Sequence, residues 1–213
     1  MLTLHSYHLS LATYRVRIAL RLKKVAFREL TYDLARGDHL QPGYRALNPA
    51  GAVPALEGAT KKPLTQSLAI LEWLEETYPT PSLMPSDAEG RARVRTLFLL
   101  TAADTHPIIV PRVRKQLVQR FGADDTAIAS WAAHWLDEGL IAYEATLEDG
   151  ATRCYGETLT IADLGLASHL LGCARFDVDL APYPRVRAIG ASLDRIPEVA
   201  ASHPGLQIDA PVT

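Results

Sequence analysis

The stretch Pro79-Thr80-Pro81-Ser82-Leu83-Met84-Pro85 constrains this 213-residue chain more than any other. Three prolines in seven positions remove three backbone donors and forbid both a helix interior and a central strand. Strand-like and helix-like patterns alternate before it, and only helix-like patterns follow it. The chain therefore reads as a mixed α/β domain over residues 1–80, a linker at 81–87 and an all-α domain over residues 88–213. A chain of this length can bury a substantial core in either half.

Within the first part, Leu2 to Ser6 alternates apolar and polar and predicts a strand. Ser10 stands where that strand gives way to a helix, in which Val16, Ile18, Ala19 and Leu20 recur at helical spacing with Arg15, Arg17 and Arg21 in the gaps. A helix start of this kind offers free amides and a positive dipole end to an anion, such as a thiolate supplied from outside the chain. Phe27 to Leu34 predicts a second strand, and strand–helix–strand implies a parallel pair. Gly37, Pro42 and Gly43 make the next region a loop ending in a short helical turn before Asn48-Pro49. Pro54 places Val53-Pro54-Ala55-Leu56 at the start or edge of a third strand, with Lys62 to Thr65 pairing across a Gly58 turn. From Ser67 the pattern is helical until Tyr78-Pro79.

Beyond the linker, helical patterns cover Ala88 to Phe121, Asp125 to Leu147, Ile161 to Phe176 and Tyr183 to Ile196. Pro107 and Pro111 predict a kink or break near Asp104-Thr105-His106. Thr160-Ile161-Ala162-Asp163 matches a capping box with aspartate in place of glutamate, ahead of an almost unbroken apolar run that predicts the core helix of the second domain. Residues 204–213 read as a loosely held tail.

Composition narrows the function classes. A chain that is 48% apolar and 22% charged, with a formal net charge of -2, has the profile of an ordinary globular protein. Its arginines are scattered among acids, so the electrostatic footprint of a nucleic-acid partner is missing. There is no apolar run long enough for a membrane span and no basic-then-apolar opening, which leads us to expect a cytoplasmic location. Cys154 and Cys173 are too few for a disulfide framework and fit no metal or redox spacing, so they are expected to be buried thiols. His5 and His8 lack a third ligand, and no metal site is expected.

A small βαβ, β-hairpin and helix domain followed by a proline-rich linker and an all-helical domain resembles the cytosolic glutathione transferases. Asn48-Pro49, Val53-Pro54-Ala55-Leu56 and Gln66-Ser67 opening a helix are similar to the glutathione-site signature of that superfamily, whose thioredoxin-like domain carries a cis proline at the position of Pro54. Ser10 with Arg15-Val16-Arg17-Ile18-Ala19-Leu20 resembles the zeta class, which includes maleylacetoacetate and maleylpyruvate isomerases. Further matches are His39-Leu40, Glu72-Trp73-Leu74-Glu75, Asp104 with His106-Pro107, Arg175-Phe176 with Val178-Asp179-Leu180, and His203-Pro204.

The resemblance implies glutathione as cofactor, a small electrophile as substrate and assembly as a homodimer. It implies that Gln66 and Ser67 hold the γ-glutamyl end, that Val53 beside Pro54 pairs with the cysteinyl backbone, and that His39 with the Asp104 and His106 region serves the glycyl end. Ser10 is implied to stabilise the thiolate, since an unassisted thiol has a pKa of about 8.5, and Thr13 is expected to assist it because this chain lacks the hydroxyl and cysteine that follow that serine in the class. Arg112 and Arg175 match the substrate arginines of the family. Such an enzyme isomerises a maleyl-type keto acid and returns glutathione unchanged. Where the class has Ser-Ser-Cys, this chain has Ser10-Leu11-Ala12; Leu9 replaces an arginine, and Ile109-Val110 replaces two asparagines. Those apolar side chains favour an alternative, conjugation of glutathione to apolar or halogenated electrophiles. A third alternative is a non-catalytic glutathione- or ligand-binding protein.

Overall fold

The computed structural model describes residues 1–211. Two compact units divide the chain: Met1–Ser82 together with the stretch from Ile196 onward, and Leu83–Arg195. The first is a thioredoxin-like α/β unit and the second is helical.

In the first unit β1 (Leu2–Ser6) leads into α1 (Leu11–Leu22) and β2 (Phe27–Thr31). A 3-10 turn at Asp38–Leu40 precedes α2 (Pro42–Leu47), and the hairpin of β3 (Ala55–Glu57) and β4 (Leu64–Thr65) leads to α3 (Ser67–Thr77). The sheet order is β2-β1-β3-β4. Leu4 lies opposite Glu29 in the parallel β1–β2 pair and opposite Leu56 in the antiparallel β1–β3 pair. As a central strand, β1 is buried at all five positions, rather than on alternate ones. Two of its polar residues are satisfied, Thr3 Oγ1 accepting from Arg28 Nε at 2.8 Å and His5 bonding the Tyr32 hydroxyl at 2.9 Å and Glu57 at 3.3 Å, whereas the buried Ser6 hydroxyl has no partner inside the fold.

The second strand and the hairpin arm are shorter than the sequence predicts, because β2 stops at Thr31 and β4 holds only Leu64–Thr65. The start of the proline-rich stretch is also pinned. Lys23 Nζ, with its side chain fully buried, donates at 2.8 Å to Glu75 Oε2 and to the carbonyls of Tyr78 and Pro81. Two X-Pro bonds are cis, Val53-Pro54 as the resemblance implies and Thr80-Pro81, which no motif indicates.

The C-terminal stretch differs most from expectation. The sequence pattern places it in the helical domain as a loose tail, yet α10 (Pro197–Ala200) packs against α1. Arg17 Nη1 donates to Ser202 O at 3.4 Å, and Gln207 Nε2 to Ala201 O at 3.1 Å and His203 O at 2.7 Å. Polar groups buried against the first unit tie the tail down as far as it is described; Val212 and Thr213 lie outside the described residues.

In the second unit α4 (Ala88–Leu99) runs into a π-helical turn at Leu100–Thr105, then α5 (His106–Ile109) and α6 (Pro111–Phe121). Pro107 removes an amide and crowds the carbonyl four residues back, and the wide turn relieves that crowding. Val110, extended at ψ 157, sits before Pro111 and separates α5 from α6. The helices α7 (Asp125–Thr146), α8 (Ile161–Arg175) and α9 (Pro184–Leu193) complete the unit. A buried polar network holds the wide turn. Tyr143 OH donates to Leu97 O at 2.8 Å, and its oxygen lies 2.8 Å from Thr101 Oγ1. His169 Nε2 donates to Leu136 O at 2.8 Å, which leaves Nδ1 to accept from Thr105 Oγ1 at 3.4 Å. Gly139 makes room for that imidazole: a Cβ there would stand 2.5 Å from His169 Cε1.

Candidate functional site

Ser10 is the N-cap of α1, its Oγ accepting from Thr13 N at 3.2 Å. That bond occupies one lone pair and leaves the O–H free to donate. Thr13 supplies its amide rather than its hydroxyl: the residue is fully buried, and Oγ1 has no partner inside the fold. The hydroxyl expected to assist Ser10 therefore does not face outward.

Val53 and the cis Pro54 stand just before β3, at the end of the strand that pairs with His5. Gln66 is exposed and holds φ 70, ψ 121, a region that a residue with a Cβ rarely occupies. It is the N-cap of α3 by position only, since no side chain caps that end. Ser67, at 7% exposure, opens the helix, and its Oγ accepts from Arg15 Nη1 at 3.4 Å. The structure thus brings a guanidinium beneath the start of α3.

Arg15 and Arg17 are the residues that pattern reading missed, having been placed in the polar gaps of a partly buried helix. They are 1% and 0% exposed. Arg17 meets Glu29 through two bonds of 3.0 Å, and Arg15 meets Ser67. The usable signal was the run Leu11 to Leu20, which leaves no wholly polar face to receive them.

His39 lies half-buried in the 3-10 turn, and its Nδ1 has no partner inside the fold. Burial lowers its pKa from 6.5, with Arg45 adding to the effect and Asp38 opposing it, so the ring is a neutral imidazole at pH 7. Gly51, at φ 55, packs beneath this turn; a Cβ there would come within 3.3 Å of His39 O.

Four further expected residues lie in the second unit. Asp104 is exposed on the π-helical turn, and His106 is half-buried at the start of α5. Arg112 is exposed near the start of α6. Arg175 ends α8 with its guanidinium carbon 5.7 Å from the Phe176 ring centroid, and it is Arg114, not Arg112, that approaches the same ring, at 5.6 Å. Arg114 carries no sequence signal of its own, because that encounter depends on how α6 meets the end of α8.

The cysteines are buried, as expected. Burial, with the Asp163 carboxylate nearby, pushes the Cys154 thiol well up, and burial pushes Cys173 up to about 12. Both remain protonated at neutral pH and supply no nucleophile. His5 and His8 are held by hydrogen-bond partners, Tyr32 and Glu57 for the first and Asp209 for the second. Of the five apolar side chains that favour an apolar pocket, Leu11 at 8% exposure and Ile109 at 4% serve the cores of their units.

Residues 9–77 match the family model for the glutathione S-transferase N-terminal domain. The chain is 41% identical over 210 residues to the maleylpyruvate isomerase of a Ralstonia species, a match that covers 97% of this chain and 99% of that protein. It is 40% identical over 210 residues to the maleylacetoacetate isomerase of Pseudomonas aeruginosa, covering 98% of each. Among solved structures, the holo form of a maleylpyruvate isomerase, described as a bacterial zeta-class glutathione transferase, superposes with a TM-score of 0.95 at 41% identity, covering 98% of this chain and all (100%) of that one. The maleylacetoacetate isomerase of Methylobacterium extorquens AM1 with bound malonate and glutathione also gives 0.95, at 40% identity over 99% of this chain and 100% of that one.

Proposed function

Because the chain belongs to the zeta class of the glutathione transferases, we propose that it is a glutathione-dependent cis–trans isomerase of a maleyl-type keto acid, maleylacetoacetate or maleylpyruvate. The observation that carries this reading is the match at 41% identity across nearly the whole length of both chains to a maleylpyruvate isomerase.

The residues present fit glutathione. The uncapped start of α3 keeps its first-turn amides and positive dipole end for the γ-glutamyl carboxylate, with Gln66 and Ser67 at its edge and Arg15 beneath. The backbone of Val53, turned out of the ladder before the cis Pro54, pairs with the cysteinyl unit. His39, neutral at pH 7, donates a hydrogen bond toward the glycyl carboxylate, and Asp104 and His106 are assigned to the same end. When bound, glutathione supplies a thiolate that adds reversibly beside the cis double bond and leaves once the bond has rotated. Ser10 donates its O–H to the sulfur, and the start of α1 adds its dipole; each pKa unit of lowering needs about 1.4 kcal/mol of preference for the thiolate. Arg175 and Arg112 provide guanidinium forks for the carboxylate and the developing enolate oxygen. Cytoplasmic location and assembly as a homodimer complete the proposal, and a dimer mass in light scattering at micromolar concentration checks the second. Among the described residues no helix is long and apolar enough to cross a membrane.

The test is absorbance with glutathione and either keto acid, beside aromatic halides as conjugation substrates. Isomerisation above the glutathione-only rate is expected; its absence, with conjugation of the halide, would favour the alternative transferase. Ser10→Ala should lower turnover at least tenfold, about 1.4 kcal/mol of barrier, and unchanged turnover removes Ser10 from this role. Arg175→Ala should raise KM for the keto acid roughly tenfold with glutathione saturating, the loss of one charged fork. A wild-type KM would contradict that assignment.

A further inference from the structure

The turn that carries Ser10 is anchored from the far end of the chain. Ser10 N donates to Tyr7 O at 3.0 Å, which closes a tight turn around His8 and Leu9. Within that turn His8 makes two bonds to one carboxylate oxygen, Asp209 Oδ2: its backbone N–H at 2.9 Å and its ring Nδ1 at 3.2 Å. The side chains are 11% and 15% exposed, so water competes little for either bond. Tyr7 packs edge-on against the His8 ring at 4.7 Å. Asp209 is delivered by the tail itself, where Gln207 bonds back to Ala201 and His203 and Ala210 N donates to Gln207 O. Leu206 and Ile208, 70% and 76% exposed, contribute little packing of their own, so polar contacts place this segment.

A serine aids a thiolate only if its hydroxyl is held at hydrogen-bond distance from the sulfur. Ser10 owes its place on one side to Thr13 N within α1 and on the other to the Tyr7–Ser10 turn. A carboxylate that accepts the backbone N–H of His8 fixes the second side, because the amide cannot rotate without breaking a charge-assisted bond. We propose that Asp209 is a positioning residue for Ser10: it accepts from His8, sets the Tyr7–Ser10 turn and so determines how far Ser10 lowers the pKa of bound glutathione. This rests on the reading of Ser10 as the thiolate's donor. It adds that a residue 201 positions away from His8 tunes that donor.

The experiment compares wild type with Asp209→Ala and Asp209→Asn in the full chain. Asparagine keeps one oxygen to accept the His8 amide, whereas alanine removes it. In the glutathione-free protein, hydrogen exchange at the His8 and Ser10 amides should speed up at least tenfold in Asp209→Ala, while exchange at the β1 amides stays unchanged. With glutathione bound, thiolate absorbance against pH should show a thiol pKa raised by about one unit, and turnover should fall roughly tenfold. The KM for glutathione should move less than threefold, since the start of α3 is untouched. Asp209→Asn should recover most of each change. Wild-type exchange and thiol pKa in Asp209→Ala overturn the proposal, as does uniform acceleration of exchange throughout the first unit, or an Asp209→Asn variant as impaired as alanine. The exchange and thiol readouts need no keto acid, so they stand even if the isomerase reading fails.

Discussion

Arg17→Met is expected to lower the unfolding free energy by about 3–5 kcal/mol, the cost of leaving a buried charge without its partner. Arg17 is fully buried, and it meets Glu29, whose side chain is 8% exposed, through Nε and Nη2 at 3.0 Å each. Nη1 also reaches Ser202 O at 3.4 Å, so one guanidinium joins α1, β2 and the C-terminal stretch. Methionine fills much of the volume but strands the Glu29 carboxylate. The double variant Arg17→Met/Glu29→Leu should recover at least half of the loss, because an apolar pair avoids the desolvation cost that the ion pair carries. Urea denaturation of the ligand-free protein reads both. A single variant as stable as wild type, or a double variant no better than the single, would show that the pair does not hold these elements.

Asp163→Ala comes next, at about 2–4 kcal/mol: roughly 1 for a lost helix cap and 1–3 for a buried amide left without an acceptor. Each carboxylate oxygen has a separate task. Oδ2 accepts from Thr160 N at 2.8 Å and Thr160 Oγ1 at 3.1 Å, and Oδ1 accepts from Cys154 N at 2.8 Å. Asparagine cannot replace it, since its amide group would face one of those N–H donors. Asp163→Asn is therefore expected to cost about 1–3 kcal/mol, where a role as an ordinary cap predicts almost nothing. Burial raises the Asp163 carboxyl above its usual 3.8 despite the bonds from Cys154 and Thr160 that pull it down. A raised folded-state value means that the proton-linked part of its contribution is full below 3.8 and fades as pH rises through the raised value. The stability gap between wild type and Asp163→Ala should accordingly narrow as pH rises through that window, in thermal melts taken from acid to neutral pH.

These two sites differ in how far the sequence revealed them. Thr160 to Asp163 was readable because both halves of a capping box lie within one helical turn. The same holds for the break at Pro107 and Pro111, where each proline acts on carbonyls and torsions within four residues. Among candidate site residues, Ser10 at a helix start and Ser67 behind Gln66 followed from local pattern. The wide π-helical form of the turn, the positive φ of Gln66 and the cis Thr80-Pro81 bond had no such local mark.

Where local pattern misleads, the partner lies far along the chain. Helical periodicity separates apolar from polar faces but does not say that a polar face is buried. Arg15 and Arg17 turned inward because Ser67, 52 residues on, and Glu29, on the neighbouring strand, supply acceptors. A chain end reads as loose because nothing local shows what it docks against, and here Asp209 and Gln207 hold it. Thr13 offers a second hydroxyl by sequence, but it lies on the buried face of α1.

By itself, the sequence determined most of the order of strands and helices, the change of pattern at the prolines and several helix starts, because each depends on torsions, caps and spacings within a few residues, and it carried the family resemblance in motifs spread along the chain. Tertiary structure decided which arginines are structural, that Arg114 shares the Phe176 ring with Arg175, and that the chain's last described turn is tied to the residue two before Ser10. Those outcomes depend on desolvation and on pairing between distant residues, and burial is a property of the assembled fold rather than of any local stretch.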